Sequence, residues 1–218
     1  CAGRADPITA VESYVPDIVF LQEIPHAYHL KHLIDKLYSG HGDYRYDSAK
    51  RCAVIVRGQI VNQEPVAKYR SQLVTAVMPS GRRLQLLNVH LQSAATNLRF
   101  YDRDCWREHS QNRLLRQLEL TYALQLLKQR TEYPRIPALI AGDFNAPAND
   151  AVYKILKPEF NDAYAQAGSG WGNTYHRALP LLRIDHIYGS AHLLPVRARV
   201  IECTDSDHRM VVADFVFR

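Results

Sequence analysis

Three short runs constrain this chain most: Ile18–Leu21, Leu86–Val89 (broken only by Asn88) and Ala138–Ala141. Runs of that length, bounded by polar residues, suit strands buried on both faces of a sheet. Each opens directly onto residues that carry chemistry. Gln22-Glu23 follows the first, His90 the second and Gly142-Asp143-Phe144-Asn145 the third. Two further clusters stand later in the chain, Arg183-Ile184-Asp185-His186 and Ser206-Asp207-His208. Acids, an amide and imidazoles at the ends of several buried strands would converge on one rim. Such a rim can hold a divalent cation and activate water against a phosphate ester.

The periodicity between these points predicts both helices and strands. Asp6-Pro7 reads as a helix start carrying Ile8, Val11, Tyr14 and Val15, and stopping before Pro16. Strand 17–21 follows, then helix 26–38 with Leu30, Leu33, Ile34 and Leu37 on one stripe. Strands are expected at 52–56, 73–78 and 83–90, the last two joined by the turn Pro79-Ser80-Gly81. Residues 93–108 read as a long substrate-facing loop. A helix over 111–130 would bury Leu114, Leu115, Leu118, Tyr122 and Leu126. After strand 138–141, a short helix over 149–156 and strands over 184–188, 195–202 and 210–217 complete the pattern. The class is α/β (α+β): two packed sheets covered by helices.

At 218 residues the chain suits one domain, 1–218. A formal charge of +5 favours anionic partners, such as phosphate esters, nucleic acid or an acidic membrane surface. Its four cysteines include no C-x-x-C pair, and no apolar run approaches the length of a membrane span. Localisation stays open on this reading.

Read singly, the candidate residues leave alternatives. Glu23 is either a hard oxygen ligand at a strand end or a rim acid capping the next helix. Asp143 and Asn145, two apart in extended chain, point to one side, or else form an Asx turn before Pro147. Asp185 is paired here with His208, since a carboxylate against a ring nitrogen fixes the tautomer and raises basicity. His186 should then face away from Asp185. His90 is a lone imidazole whose weight comes from the other clusters. Arg99, Arg113, Trp171 and Tyr175 are candidate substrate contacts, as interleaved rings and guanidiniums stack bases or grip phosphates. His26, His29 and His32 spread around their helix and make a poor zinc set.

Taken in order, Leu21-Gln22-Glu23, Gly142-Asp143-Phe144-Asn145, Arg183-Ile184-Asp185-His186-Ile187 and Ser206-Asp207-His208-Arg209 resemble the endonuclease/exonuclease/phosphatase family. The resemblance implies a four-layer sandwich of two mixed β-sheets flanked by helices. It also implies a phosphodiesterase or nuclease that hydrolyses phosphate esters with Mg²⁺ or Mn²⁺. On the same basis Glu23 is a metal ligand and Asp207 a further metal-associated acid. Asp143 and Asn145 position nucleophile and phosphoryl group, Asp185 and His208 form the acid–imidazole pair, and His90 stabilises the pentacovalent transition state. The family normally opens with a strand ending in Asn, whose amide joins the metal site. Here Cys1-Ala2-Gly3-Arg4 resembles the loop after that strand, which leaves the strand itself absent. A narrower likeness, in His90-Leu91-Gln92-Ser93 and in 168–175, is to a bacterial branch with membrane helices ahead of the catalytic domain. It implies a membrane-anchored parent. Other readings are a phospholipid or inositol phosphate phosphohydrolase, or a binding module that has lost catalysis.

Overall fold

Strand Arg83–His90 sits in the middle of the main sheet, as its two-sided apolar character requires: all its residues but the first are buried. The computed structural model describes residues 11–65, 69–93, 101–203 and 206–218. In chain order the elements are β1 (Ile18–Leu21), α1 (Tyr28–Tyr38), β2 (Asp43–Asp47), β3 (Cys52–Val56), β4 (Gln59–Pro65), β5 (Ser71–Val77), β6 (Arg83–His90), α2 (Arg103–Lys128) and β7 (Ala138–Asp143). A 3-10 turn (Ala151–Ile155), β8 (Phe160–Asp162), α3 (Ala163–Ala167), β9 (Asp185–Ser190), β10 (Leu193–Ile201) and β11 (Met210–Phe217) follow.

The main sheet has the order β4-β5-β6-β7-β9-β8. Its one parallel pair is β6–β7, and helix α2 supplies the crossover that parallel neighbours need. Three apolar clusters build four layers. Leu30, Leu33, Ile34 and Leu37 of α1 pack on Val19, Leu21, Ala53 and Ile55. Val54 and Val56 meet Val74, Leu86 and Leu139 between the sheets. Leu87, Val89 and Ile140 meet Leu120, Ala123, Leu124 and Leu127 of α2 on the far side.

The second sheet layer differs from the single mixed sheet expected. It comprises an antiparallel three-stranded piece, β1-β3-β2, and a separate antiparallel ribbon, β10-β11. Among the described residues no strand joins β1 to β11. Both strands line one cavity of about 660 Å³, floored by Leu84, Leu139, Ala141 and Ile187 of the main sheet.

Other boundaries move for identifiable reasons. The first helix lies mostly outside the described residues, and Tyr14 and Val15 are exposed beyond its end. Helix α2 starts at Arg103, inside the expected loop, because Asp102 caps it by accepting from Asp104 N–H at 3.0 Å. The rest of that loop, 94–100, lies outside the described residues and takes Arg99 with it.

The inner face of α2 keeps only Tyr122 and Leu126 of the expected stripe, packed half-buried on the core. Leu114 and Leu118 are each 58 % exposed, whereas Asn112, Arg116, Glu119, Leu120, Ala123, Leu124 and Leu127 are buried. Two of these buried polar groups grip the chain just past β6. Glu119 Oε2 accepts from Gln92 N–H at 2.7 Å, and Arg116 donates to the Gln92 carbonyl at 3.4 Å. A polar inner face of this kind defeats hydrophobic periodicity.

Candidate active site

Hydrogen-bond register alone aligns three of the site residues. His90 at the end of β6 is paired with Asp143 at the end of β7, and Asp143 with Asp185 at the start of β9. Side chains on one rung of neighbouring strands share a face and stand about 5 Å apart. The rung is packed too tightly for a side chain one residue earlier. A Cβ on Gly142, at φ +138°, would come within 2.0 Å of the Val89 carbonyl oxygen.

Glu23 enters this face from the other sheet. Its backbone is left-handed, with φ 59°, and is fixed from both sides. Arg51 donates to the Glu23 carbonyl at 3.2 Å, while the Arg51 carbonyl accepts from Ile24 N–H at 2.8 Å. The Glu23 carboxylate thereby lies 3.8 Å from His90 Nε2, and Asp143 lies 3.9 Å from the same atom. Asn145 is likewise left-handed, with φ 50°. Such backbone at a non-glycine residue costs about 1–3 kcal/mol and gathers at functional sites. Asn145 donates its backbone N–H to Asp143 Oδ1 at 2.8 Å and its side-chain amide to Asp143 Oδ2 at 3.0 Å and Leu91 O at 2.9 Å. The Asx turn and the site geometry are therefore one arrangement.

His208 completes the group from the segment before β11. Its Nδ1 is 2.9 Å from Asp185 Oδ2, and its backbone N–H donates to Ser206 Oγ at 3.0 Å. Ligand atoms of Asp143, Asp185 and His208 all lie within 4.8 Å of one another. Glu23, Asp143, Asp185 and His208 line the same cavity, at its polar end with Gln22.

The electrostatics follow from crowding. Burial pushes the Asp143 carboxyl well above the usual carboxylate range, and the neighbouring Asp185 charge pushes the same way. Burial would lower His208, but the hydrogen bond and charge of Asp185, with Asp143 and Asp207, hold it up at about 9. Burial lowers His90 against the opposing pull of Glu23 and so keeps it neutral. The rung is short of positive charge. Clustered carboxylate oxygens beside an imidazole are the donor set that hard divalent cations such as Mg²⁺ or Mn²⁺ take, so the residues present fit such an ion.

The remaining candidates fall elsewhere. Asp207 is not in the clustered trio; its backbone carbonyl accepts from Arg177 N–H at 2.7 Å. Tyr175 sets its ring 5.1 Å from that of His208, tilted 57° to it, at a partly exposed lip. Trp171, 63 % exposed, donates its indole N–H to the Pro180 carbonyl at 2.9 Å. Arg113 lies 3.3 Å from Asp150 and ties α2 to the 3-10 turn. His186 does face away from Asp185, with Nδ1 3.2 Å from Asp162 and Nε2 2.9 Å from the Tyr153 hydroxyl.

Residues that the motifs did not bring forward hold the frame. Buried Thr174 accepts, on one hydroxyl, from the N–H groups of Ile184 at 3.1 Å and Asp185 at 3.2 Å. Its signal in sequence was only a threonine in a glycine-rich loop.

The fold and the site together define an α/β sandwich with acids and imidazoles gathered at the strand ends of its main sheet. Solved structures share that architecture. A mannosyl-6-phosphatase, Bt3783, of Bacteroides thetaiotaomicron VPI-5482 superposes with a TM-score of 0.73 at 18% identity, over 96% of this chain and 89% of that one. The human Nocturnin catalytic domain gives 0.71 at 23%, over 98% and 85%. Truncated Caenorhabditis elegans TDP2 gives 0.68 at 21%, over 98% and 88%. At these identities the likeness is one of fold. No curated protein matches the chain. The family model described as Endonuclease/Exonuclease/phosphatase family matches residues 6–208, and the chain belongs to that family, whose members are generally hydrolases acting on phosphate esters.

Proposed function

We propose that this chain is a Mg²⁺- or Mn²⁺-dependent phosphodiesterase of nuclease type. The observation that carries the reading is the rung of His90, Asp143 and Asp185, with His208 fixed on Asp185 at 2.9 Å. Oxygens of Glu23, Asp143 and Asp185 would hold the cation, with Asp207 a further acid close by, and a cation bound there polarises a phosphate oxygen and acidifies water.

The chain's own groups divide the proton work. His208, protonated at neutral pH with Nδ1–H on Asp185, presents its other ring N–H and a positive charge to a phosphate oxygen or to the leaving oxygen. Asp143, as a carboxylate beside the bound cation, would be placed to accept a proton from water. Asn145 holds both Asp143 oxygens in place. His90, neutral and 5 % exposed, would donate a ring N–H to a phosphate oxygen without adding charge.

Among phosphate esters nucleic acid ranks first, because the chain carries a formal charge of +5. Tyr175 and Trp171 supply rings at the lip on which bases can stack. Phospholipid head groups and inositol phosphates are the competing substrates. Hydrolysis of bis-p-nitrophenyl phosphate by the full chain is the direct test. Turnover should require Mg²⁺ or Mn²⁺, stop with EDTA and stop in His208→Ala. No metal-dependent turnover would overturn the reading, and equal turnover without metal would contradict it.

A further inference from the structure

Asn88 is fully buried and belongs to β6, yet its bonds go to the other sheet. Its side-chain N–H groups donate to the Leu21 and Ala53 carbonyls, each at 3.0 Å. Its Oδ1 accepts from Gln22 Nε2 at 2.6 Å. Leu21 and Ala53 form the end pair of the β1–β3 ladder, so one carboxamide caps that end. Few side chains meet this demand. Two donors on one atom and an acceptor on the next define Asn in a space of this size. Asp would turn an acceptor towards two carbonyl oxygens, and an apolar residue would leave buried groups without partners.

The placement matters because Glu23 lies two residues beyond Leu21, and His90 two beyond Asn88 on the same face of β6. The cross-sheet bond from Asn88 to Leu21 is thus one step below the 3.8 Å approach of Glu23 to His90. Glu23 has no strand neighbour on the main sheet, so its distance to Asp143 depends on how the two sheets are keyed. The Gln22 amide is part of the same key. It lies 3.1 Å from where a Gly142 Cβ would be, in space that glycine leaves open beside Asp143.

We infer that Asn88, with Gln22, is the positioning residue that keys one sheet to the other and so sets Glu23 against Asp143 for cation binding. This rests on the reading of Glu23 and Asp143 as cation ligands. Residues that orient ligands from behind alter metal affinity by about 10–100-fold when removed.

The test is Mn²⁺ affinity of the full chain, followed by electron paramagnetic resonance, in Asn88→Ala, Gln22→Ala and the control Leu127→Ala. Leu127 is buried on the α2 side of the main sheet, so its variant reports general loosening of the core. Asn88→Ala should weaken Mn²⁺ binding about tenfold or more, with kcat recovering at high Mn²⁺, while Leu127→Ala stays within about twofold of the parent. Equal affinity in Asn88→Ala and the parent overturns the inference, as does equal weakening in Leu127→Ala. Should Asn88→Ala fail to fold, Gln22→Ala decides on the same criterion. If the parent chain itself takes up no Mn²⁺, it is the cation-site reading that fails; if the parent binds and the variants bind alike, the keying role alone fails.

Discussion

In the proposed function His208 and Asp185 are the residues on which the chemistry would depend most directly. His208→Ala should lower metal-dependent phosphodiester hydrolysis by at least about 10²-fold while the far-ultraviolet circular dichroism stays unchanged, as expected for loss of a proton-transfer group. Asp143 gives a second expectation at this scale. Its carboxyl is held above the usual range by burial and by Asp185, so protons compete with a cation for it. Mn²⁺ affinity should therefore rise with pH through the neutral range and fall as Asp143 takes up its proton, which calorimetry across pH would show. Asp162 behaves in the opposite way. Burial pushes it up, but hydrogen bonds and charge from His186 and Arg183 outweigh that and hold it well below the carboxylate range. A carboxyl depressed by folding adds stability above its unfolded value near ~3.9, and loses it as pH falls below that. Asp162→Asn should accordingly lose stability at pH 7 and show a flatter acid limb in urea midpoints measured between pH 6 and pH 3.

Elements show why some of this was legible and some was not. The strands carrying Glu23, His90 and Asp143 announced themselves, since a strand buried on both faces must be apolar and any polar residue at its end stands out. Strands β2, β4 and β8 did not, because Asp43–Asp47, Gln59–Pro65 and Phe160–Asp162 lie at sheet edges or are too short to show a pattern. Helix α2 misled for a physical reason: Arg116 and Glu119 are inside because they serve the backbone of Gln92, while Leu114 and Leu118 are outside. Replacing both exposed leucines by Lys should change stability by no more than about 0.5 kcal/mol each. Leu120→Ala should cost about 2–5 kcal/mol, and urea unfolding of the two variants separates the two faces. Thr174 makes the same point from a loop. One hydroxyl accepts from Ile184 and Asp185, a service that no spacing rule reveals. Thr174→Val should strip both donors of their partner and cost about 1–3 kcal/mol for each N–H left dry.

For the whole molecule, sequence order gave the layers in outline: helix, small sheet, main sheet, helix. The division of the small-sheet layer into β1-β3-β2 and β10-β11 was not readable, since pairing between distant strands leaves no local mark. The meeting of Asp185 with His208 is legible only from two weak motifs taken together. In the proposed cation site these layers would be coupled, as Glu23 follows the end of β1 in one sheet and Asp143 ends β7 in the other. Saturating Mn²⁺ should therefore raise the melting temperature of the parent chain in a concentration-dependent way, with about 2.7 kcal/mol of added stability at a hundredfold excess over Kd.

The shared rung of β6, β7 and β9 has one more outcome. Three chemical groups are spaced by the ladder of amide bonds beneath them, not by the poses of flexible side chains. On heating, His90, Asp143 and Asp185 should thus stay together until the central strands melt cooperatively, which hydrogen exchange of β6, β7 and β9 would show.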